Sequence, residues 1–151
     1  MLMLVFYVGK NLYAIESSRV VEVIPRVSYR EVHHVPDHVV GVFNYRGSIV
    51  PVIDLCRLIR GTPSKGYLST RVMMVNYQRP DHTLCYIGLM AERVIETLDK
   101  PEAEFRDAGI QANAAPYLGG IITDKKGMIQ RIRLEQLFSD VQHVNLLSAG
   151  G

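Results

Sequence analysis

Apolar residues in this chain gather in short runs rich in β-branched and aromatic side chains, and residues that favour turns separate the runs. Leu2 to Val8 is almost wholly apolar, Gly9-Lys10-Asn11 turns the chain, and Leu12 to Ile15 returns it, which predicts a hairpin. Ser17-Ser18 opens a stretch through Arg19-Val20-Val21-Glu22-Val23-Ile24 that stops at Pro25. It is too short and too β-branched for a stable helix, so it predicts one helical turn running into a strand. Val39 to Tyr45 and Ser48 to Ile53 predict two strands joined at Arg46-Gly47. Pro51 cannot donate to a ladder, so the second of these is an edge strand or is bulged there.

The polar stretch Arg60-Gly61-Thr62-Pro63-Ser64-Lys65-Gly66 is the strongest internal break and divides the chain into two halves. Beyond it, Arg71 to Tyr77 and Thr83 to Met90 predict a hairpin around Arg79-Pro80-Asp81-His82, with Val94 to Leu98 prolonging its second strand. Asp99 to Pro116 has charges, prolines and alanines without a period and reads as a long loop, the least protected internal segment. Gly119 to Thr123, the turn Asp124-Lys125-Lys126-Gly127 and Met128 to Leu134 predict a last hairpin. Leu134 to Phe138 reads as a terminal helical turn and Ser148 to Gly151 as a frayed end. Many short strands at fairly even spacing predict an all-β sandwich or barrel.

Composition narrows the class. A chain of 151 residues, 48% hydrophobic and 21% charged, fits one globular domain and excludes wholesale disorder. Seventeen basic against fifteen acidic residues leave +2, far from the charge of a dedicated nucleic-acid binder. Cys56 and Cys85 form neither a disulfide framework nor a CxxC pair and read as buried, reduced thiols. The apolar N-terminus lacks a basic leader and a cleavage site and is shorter than the ~20 residues of a membrane span. These features point to the cytoplasm.

Candidate chemistry is thin. His33, His34, Asp37 and His38 offer four potential metal ligands in six residues. In extended chain, however, His33 and His34 point to opposite faces, and Pro36 blocks the helix that could gather the rest. Cys56 lies beside the apolar Ile53-Asp54-Leu55, a setting of burial and not of nucleophilic attack. Phosphate-loop, dinucleotide and nucleophile-elbow motifs are absent, and no carboxylate pair is placed for acid–base work. Lys125, Lys126, Arg131 and Arg133 could touch phosphates, but no aromatic residues interleave them as on a stacking platform. What remains is Pro36 to Leu55, a β-unit that projects Arg46 from its tip with Gly47 behind it. Such an arginine either pairs with a neighbouring carboxylate or is presented for recognition.

This segment resembles the CheW family of chemotaxis coupling proteins. The resemblance rests on Pro36, Gly41-Val42, Asn44-Tyr45-Arg46-Gly47 and Val50-Pro51-Val52-Ile53-Asp54-Leu55. Val5-Phe6, Tyr13-Ala14-Ile15 and Val20-Val21-Glu22-Val23-Ile24 match the family upstream; Ile87-Gly88-Leu89, Val94, Tyr117-Leu118-Gly119-Gly120 and Leu134 to Phe138 match it downstream. Tyr45 replaces a usual leucine, Glu92 stands where an aspartate is favoured, and Arg131-Ile132-Arg133 replaces an apolar run closing on aspartate, as in a divergent paralogue.

The resemblance implies an all-β fold of two packed, small five-stranded SH3-like barrels with short helical pieces. It implies one domain over about 1–140, with a first barrel near 12–66, a second near 67–138 that can include the N-terminal strand, and a tail at 141–151. It further implies a non-catalytic adaptor, without cofactor or metal, that bridges the cytoplasmic tip of a methyl-accepting chemoreceptor to the regulatory domain of a CheA-type histidine kinase. Partner contacts then fall on Val20, Glu22, Asn44, Arg46 and Gly47. Two readings stand against it: a metal-dependent hydrolase on His33, His34 and His38, and an oligonucleotide-binding barrel. The latter needs affinity that falls steeply with salt.

Overall fold

The nearly continuous apolar runs fold as strands covered on both faces. A computed structural model describes residues 1–107, 109 and 115–142. The elements are β1 (Leu2–Val8), β2 (Asn11–Glu16), β3 (Val20–Pro25), β4 (Val39–Tyr45), β5 (Ser48–Asp54), α1 (Leu55–Arg60), β6 (Arg71–Gln78), β7 (Leu84–Ala91), β8 (Arg93–Asp99), β9 (Leu118–Asp124), β10 (Gly127–Ile132) and α2 (Leu134–Gln142). They make two five-stranded sheets, ordered β8-β1-β2-β10-β9 and β3-β6-β7-β5-β4. Hairpin neighbours pair antiparallel, whereas β2 with β10 and β5 with β7 pair in parallel.

Three cores follow from these two sheets. Strand β6 alternates between them: Val72 and Met74 face a cluster drawn from the second sheet alone, with Tyr45, Val50, Val52 and Met90. Met73, Val75 and Tyr77 face the large central core, which also takes Phe6 and Ile15 from the first sheet and Leu137 and Phe138 from α2. A third cluster, of Met3, Val5, Leu12, Ala14, Ile122 and Ile129, belongs to the first sheet. Each such side chain contributes about 1.5–3 kcal/mol by leaving water, so both faces of the sheets are held.

Among the described residues no ladder joins the end strands of either sheet, so the expected barrels are curled sheets and not closed ones. Single backbone bridges, Arg30 to Val42 of β4 and Arg106 to Ile121 of β9, and side chains span the seams instead. Tyr45 on β4 reaches Glu22 on β3, and Lys126 of the β9–β10 turn reaches Glu96 on β8 at 2.9 Å.

Several expectations need correction. The sheets do not part at residues 60–66: β6 and β7, beyond that break, pair with β3 and β5, and the first sheet joins residues 2–16 to 93–132. The polar break is a connection over one edge of a single sheet. Residues 94–98 do not prolong β7, because the chain switches sheets at Glu92 and β8 pairs with β1. Strand β5 is not an edge. It lies between β4 and β7, and the β7 ladder begins at Val52, one residue past Pro51, so the missing N–H falls outside it. The helix α1 goes unforeseen; the Asp54 side chain caps it by accepting from the Cys56 N–H at 3.0 Å.

The expected helical turn before β3 is a 3₁₀ turn at Ser17–Arg19, and the terminal one extends to Gln142. The near flank of the expected 99–116 loop is built in: Glu102–Glu104 forms a 3₁₀ turn, Phe105 packs on the first sheet's cluster, and Arg106 bridges to Ile121. Residues 108 and 110–114 of that loop, and 143–151 of the expected tail with His143 among them, lie outside the described residues.

Candidate functional site

Strands β4 and β5 are joined by the shortest hairpin connection, with Tyr45 paired to Ser48 across Arg46-Gly47. Both turn residues have positive φ, +50° at Arg46 and +87° at Gly47, the type I′ geometry that matches strand twist. Glycine takes that conformation without strain; Arg46 is held in it. The Asn44 side chain steadies the turn by accepting the Gly47 N–H at 3.0 Å.

Glu22 arrives from the far end of the same sheet. A bulge between Val20 and Glu22 gives them different faces: Val20 pairs with Val75 and packs against the central core, while Glu22 pairs with Met74 of the second sheet's own cluster. The Glu22 carboxylate accepts from the Tyr45 hydroxyl at 2.6 Å and from Arg46 Nη2 at 3.0 Å, both on the same oxygen. The Arg46 guanidinium also lies over the Tyr45 ring, 5.0 Å from its centroid. Burial, and then its bond to Glu22, raise the Tyr45 hydroxyl above the usual tyrosine range.

The fold thus brings Glu22, Asn44, Arg46 and Gly47 to one corner and leaves Val20 apart, among core side chains. Arg46 is 60% exposed and Glu22 40%. Ile49, opposite Asn44 across the hairpin, is 58% exposed. The corner is therefore a forked cation held by a carboxylate, open to solvent beside an apolar residue. Tyr45 is the member that sequence reasoning missed. A tyrosine where an aliphatic residue would fill the core is itself the signal, because a buried hydroxyl needs a partner.

The other departures also have structural roles. Glu92 is buried at the switch between sheets and accepts the Gly9 N–H at 2.8 Å and the Lys65 N–H at 3.3 Å. Arg131 binds Glu16 at 2.7 Å and also Glu102, tying β10 to β2 and to the 3₁₀ turn after β8. With Lys126 on Glu96, two of the four basic residues of the last hairpin are committed to carboxylates.

Among the described residues no three His, Cys, Asp or Glu side chains converge as metal ligands, so His33, His34 and His38 do not assemble a centre. Cys56 is buried and its thiol is pushed up by that burial, away from thiolate chemistry; Cys85 is half-buried. Among the described residues no helix is long and apolar enough to cross a membrane.

Comparison with known proteins gives a consistent pattern. The sequence model of the CheW-like domain matches residues 2–142. A chemotaxis protein CheW of Klebsiella aerogenes is 28% identical over 90% of this chain and 80% of its own length. The chemotaxis protein CheW of Helicobacter pylori is 32% identical over 62% of this chain, a match that spans about half (53%) of that protein. Among solved structures, the scaffolding protein CheW of Thermoanaerobacter tengcongensis superposes with a TM-score of 0.74 at 25% identity, covering 88% of this chain and 84% of that one.

Proposed function

The chain belongs to the CheW-like domain family, and from that premise we propose that it is a cytoplasmic, non-catalytic adaptor in chemotaxis signalling. In this reading it couples the cytoplasmic tip of a methyl-accepting chemoreceptor to the regulatory domain of a CheA-type histidine kinase. The observation that carries it is the Glu22–Tyr45–Arg46 corner, where an arginine is fixed in an unfavourable turn conformation and left open to solvent. Chemistry of turnover does not need such a corner. Recognition does, because a pre-oriented guanidinium gives bidentate contact with carboxylates at low entropic cost.

Glu22, Asn44, Arg46 and Gly47 form the contact surface in this proposal, with Val20 acting behind it by fixing the start of β3. The hydrolase reading loses its ligand geometry at His33, His34 and His38. The nucleic-acid reading has only +2 of charge behind it. Partner interfaces of this signalling kind can be small, around 1,000 Å² or less of buried surface, so modest affinity is expected.

The test is co-sedimentation of the chain with the cognate kinase regulatory domain and a receptor-tip fragment. The adaptor reading expects each partner to bind alone and a complex of all three together. Failure to bind either partner overturns it.

A further inference from the structure

A second site lies away from the Arg46 corner, where the β1–β2 turn, the residue 61–70 connection and the switch from β7 to β8 meet. They enclose an open cavity of about 700 Å³, within the usual range for small-molecule sites. Lys10, Arg60, Lys65 and Arg93 line it, and the only acidic lining residue is Glu92. Among the described residues none of those four cations has a carboxylate within ion-pair distance. Four cations against one carboxylate make +3 here, more than the +2 of the whole chain.

Glu92 does not cancel this field by pairing with a cation. It is buried, and its two oxygens accept the backbone N–H groups of Gly9 and Lys65. That carboxylate pins the β1–β2 turn and the 61–70 connection to the sheet switch, so the walls bearing the cations are fixed to one another. Tyr67 and Tyr7 supply aromatic rings to the same lining.

We propose that this cavity binds a small polyanion carrying adjacent phosphate groups. Convergent lysines and arginines without carboxylate partners suit multiple phosphate oxygens, Arg60 donating only to the Cys56 sulfur at 3.8 Å. The tyrosine rings add affinity when the polyanion carries a planar base, as in a nucleotide. The site is independent of the adaptor reading, which can fail without it.

The experiment is titration of ¹⁵N-labelled protein with tripolyphosphate, ATP and adenosine at low salt. The Gly9 and Lys65 amides serve as reporters because they face Glu92. The proposal expects saturable shifts of both amides with tripolyphosphate and ATP and none with adenosine; tighter binding of ATP than of tripolyphosphate assigns the tyrosines a role. Lys10→Glu with Lys65→Glu, both exposed positions, should weaken binding roughly tenfold or more while the protein stays folded, since each reversal replaces a favourable charge contact by a repulsive one. Lys100→Glu, just past the opposite end of β8 from Arg93, should leave it unchanged. Absence of saturable shifts, or equal weakening by Lys100→Glu, overturns the proposal.

Discussion

Glu22 on β3 and Tyr45 on β4 stand at opposite ends of their sheet's hydrogen-bonding order, yet the Tyr45 hydroxyl donates to the Glu22 carboxylate over 2.6 Å. The sheet curls until its end strands meet, and this side-chain bond spans a seam that no backbone ladder closes. The same bond holds the carboxylate that Arg46 uses. Closure of the sheet and presentation of the arginine are therefore one arrangement.

Tyr45→Phe removes that donor while keeping the ring, which is buried against Tyr86 and Phe43. Hydrogen bonds to charged acceptors contribute about 1.5–3 kcal/mol, and the half-open Glu22 places this one at the lower end. Urea denaturation should show a loss of about 1–2 kcal/mol. A variant as stable as the wild type would show that this hydrogen bond does not help to close the seam.

Gly88 tests the second sheet's own core. It pairs with Val52 on one side and Met74 on the other, and a Cβ there would come within 2.8 Å of Val72 Cγ1 and 3.4 Å of Val52 Cγ2. Gly88→Ala should cost about 1–3 kcal/mol through overpacking. Partner binding by the folded fraction should be unaffected, because the proposed contact corner is at the sheet's seam. A neutral effect in thermal melts would mean that the core is loosely filled.

Glu102 gives a pH dependence. The hydrogen bond and charge of Arg131 lower its carboxyl below the ordinary value of 4.5. A carboxyl depressed on folding adds stability above its unfolded value, and this is lost as pH falls through the lower folded value. Wild type and Glu102→Gln should therefore differ most in urea midpoint above about pH 4.5 and converge below it. Parallel curves down to the acid limit would show that the pair adds nothing in solution.

Much of this architecture is legible in the sequence because it is local. The turns at Gly9, at Arg46-Gly47 and at Asp124 to Gly127 carry their own chemistry, and each joins the strands expected. Sheet membership is not local. Leu2 pairs with Asp99 and Ile129 with Leu12, pairings decided by burial of both faces that no short window contains. The same limit misplaced the seam at residues 60–66 and made Pro51 look like an edge residue. The helix α1 does leave a mark, Asp54 before Leu55 and Gly61 after Arg60, but six residues give too few turns for a period. Of the expected contact residues, Glu22 and Arg46 are joined by the curl of the sheet, whereas one extra residue in β3 separates Val20 from them.

The most direct test of the central claim is titration of Arg46→Ala and Arg46→Lys against the kinase regulatory domain and the receptor tip, with melting curves alongside. Arg46 is mostly exposed, so its pair with Glu22 should add no more than about 1 kcal/mol to stability. Loss of a desolvated interface pair should instead cost about 2–5 kcal/mol of binding, and lysine should restore little of it because it cannot copy the guanidinium fork. Folded variants with weakened partner binding are the predicted result. Unchanged affinity for both partners, or a collapse of the fold, would contradict it.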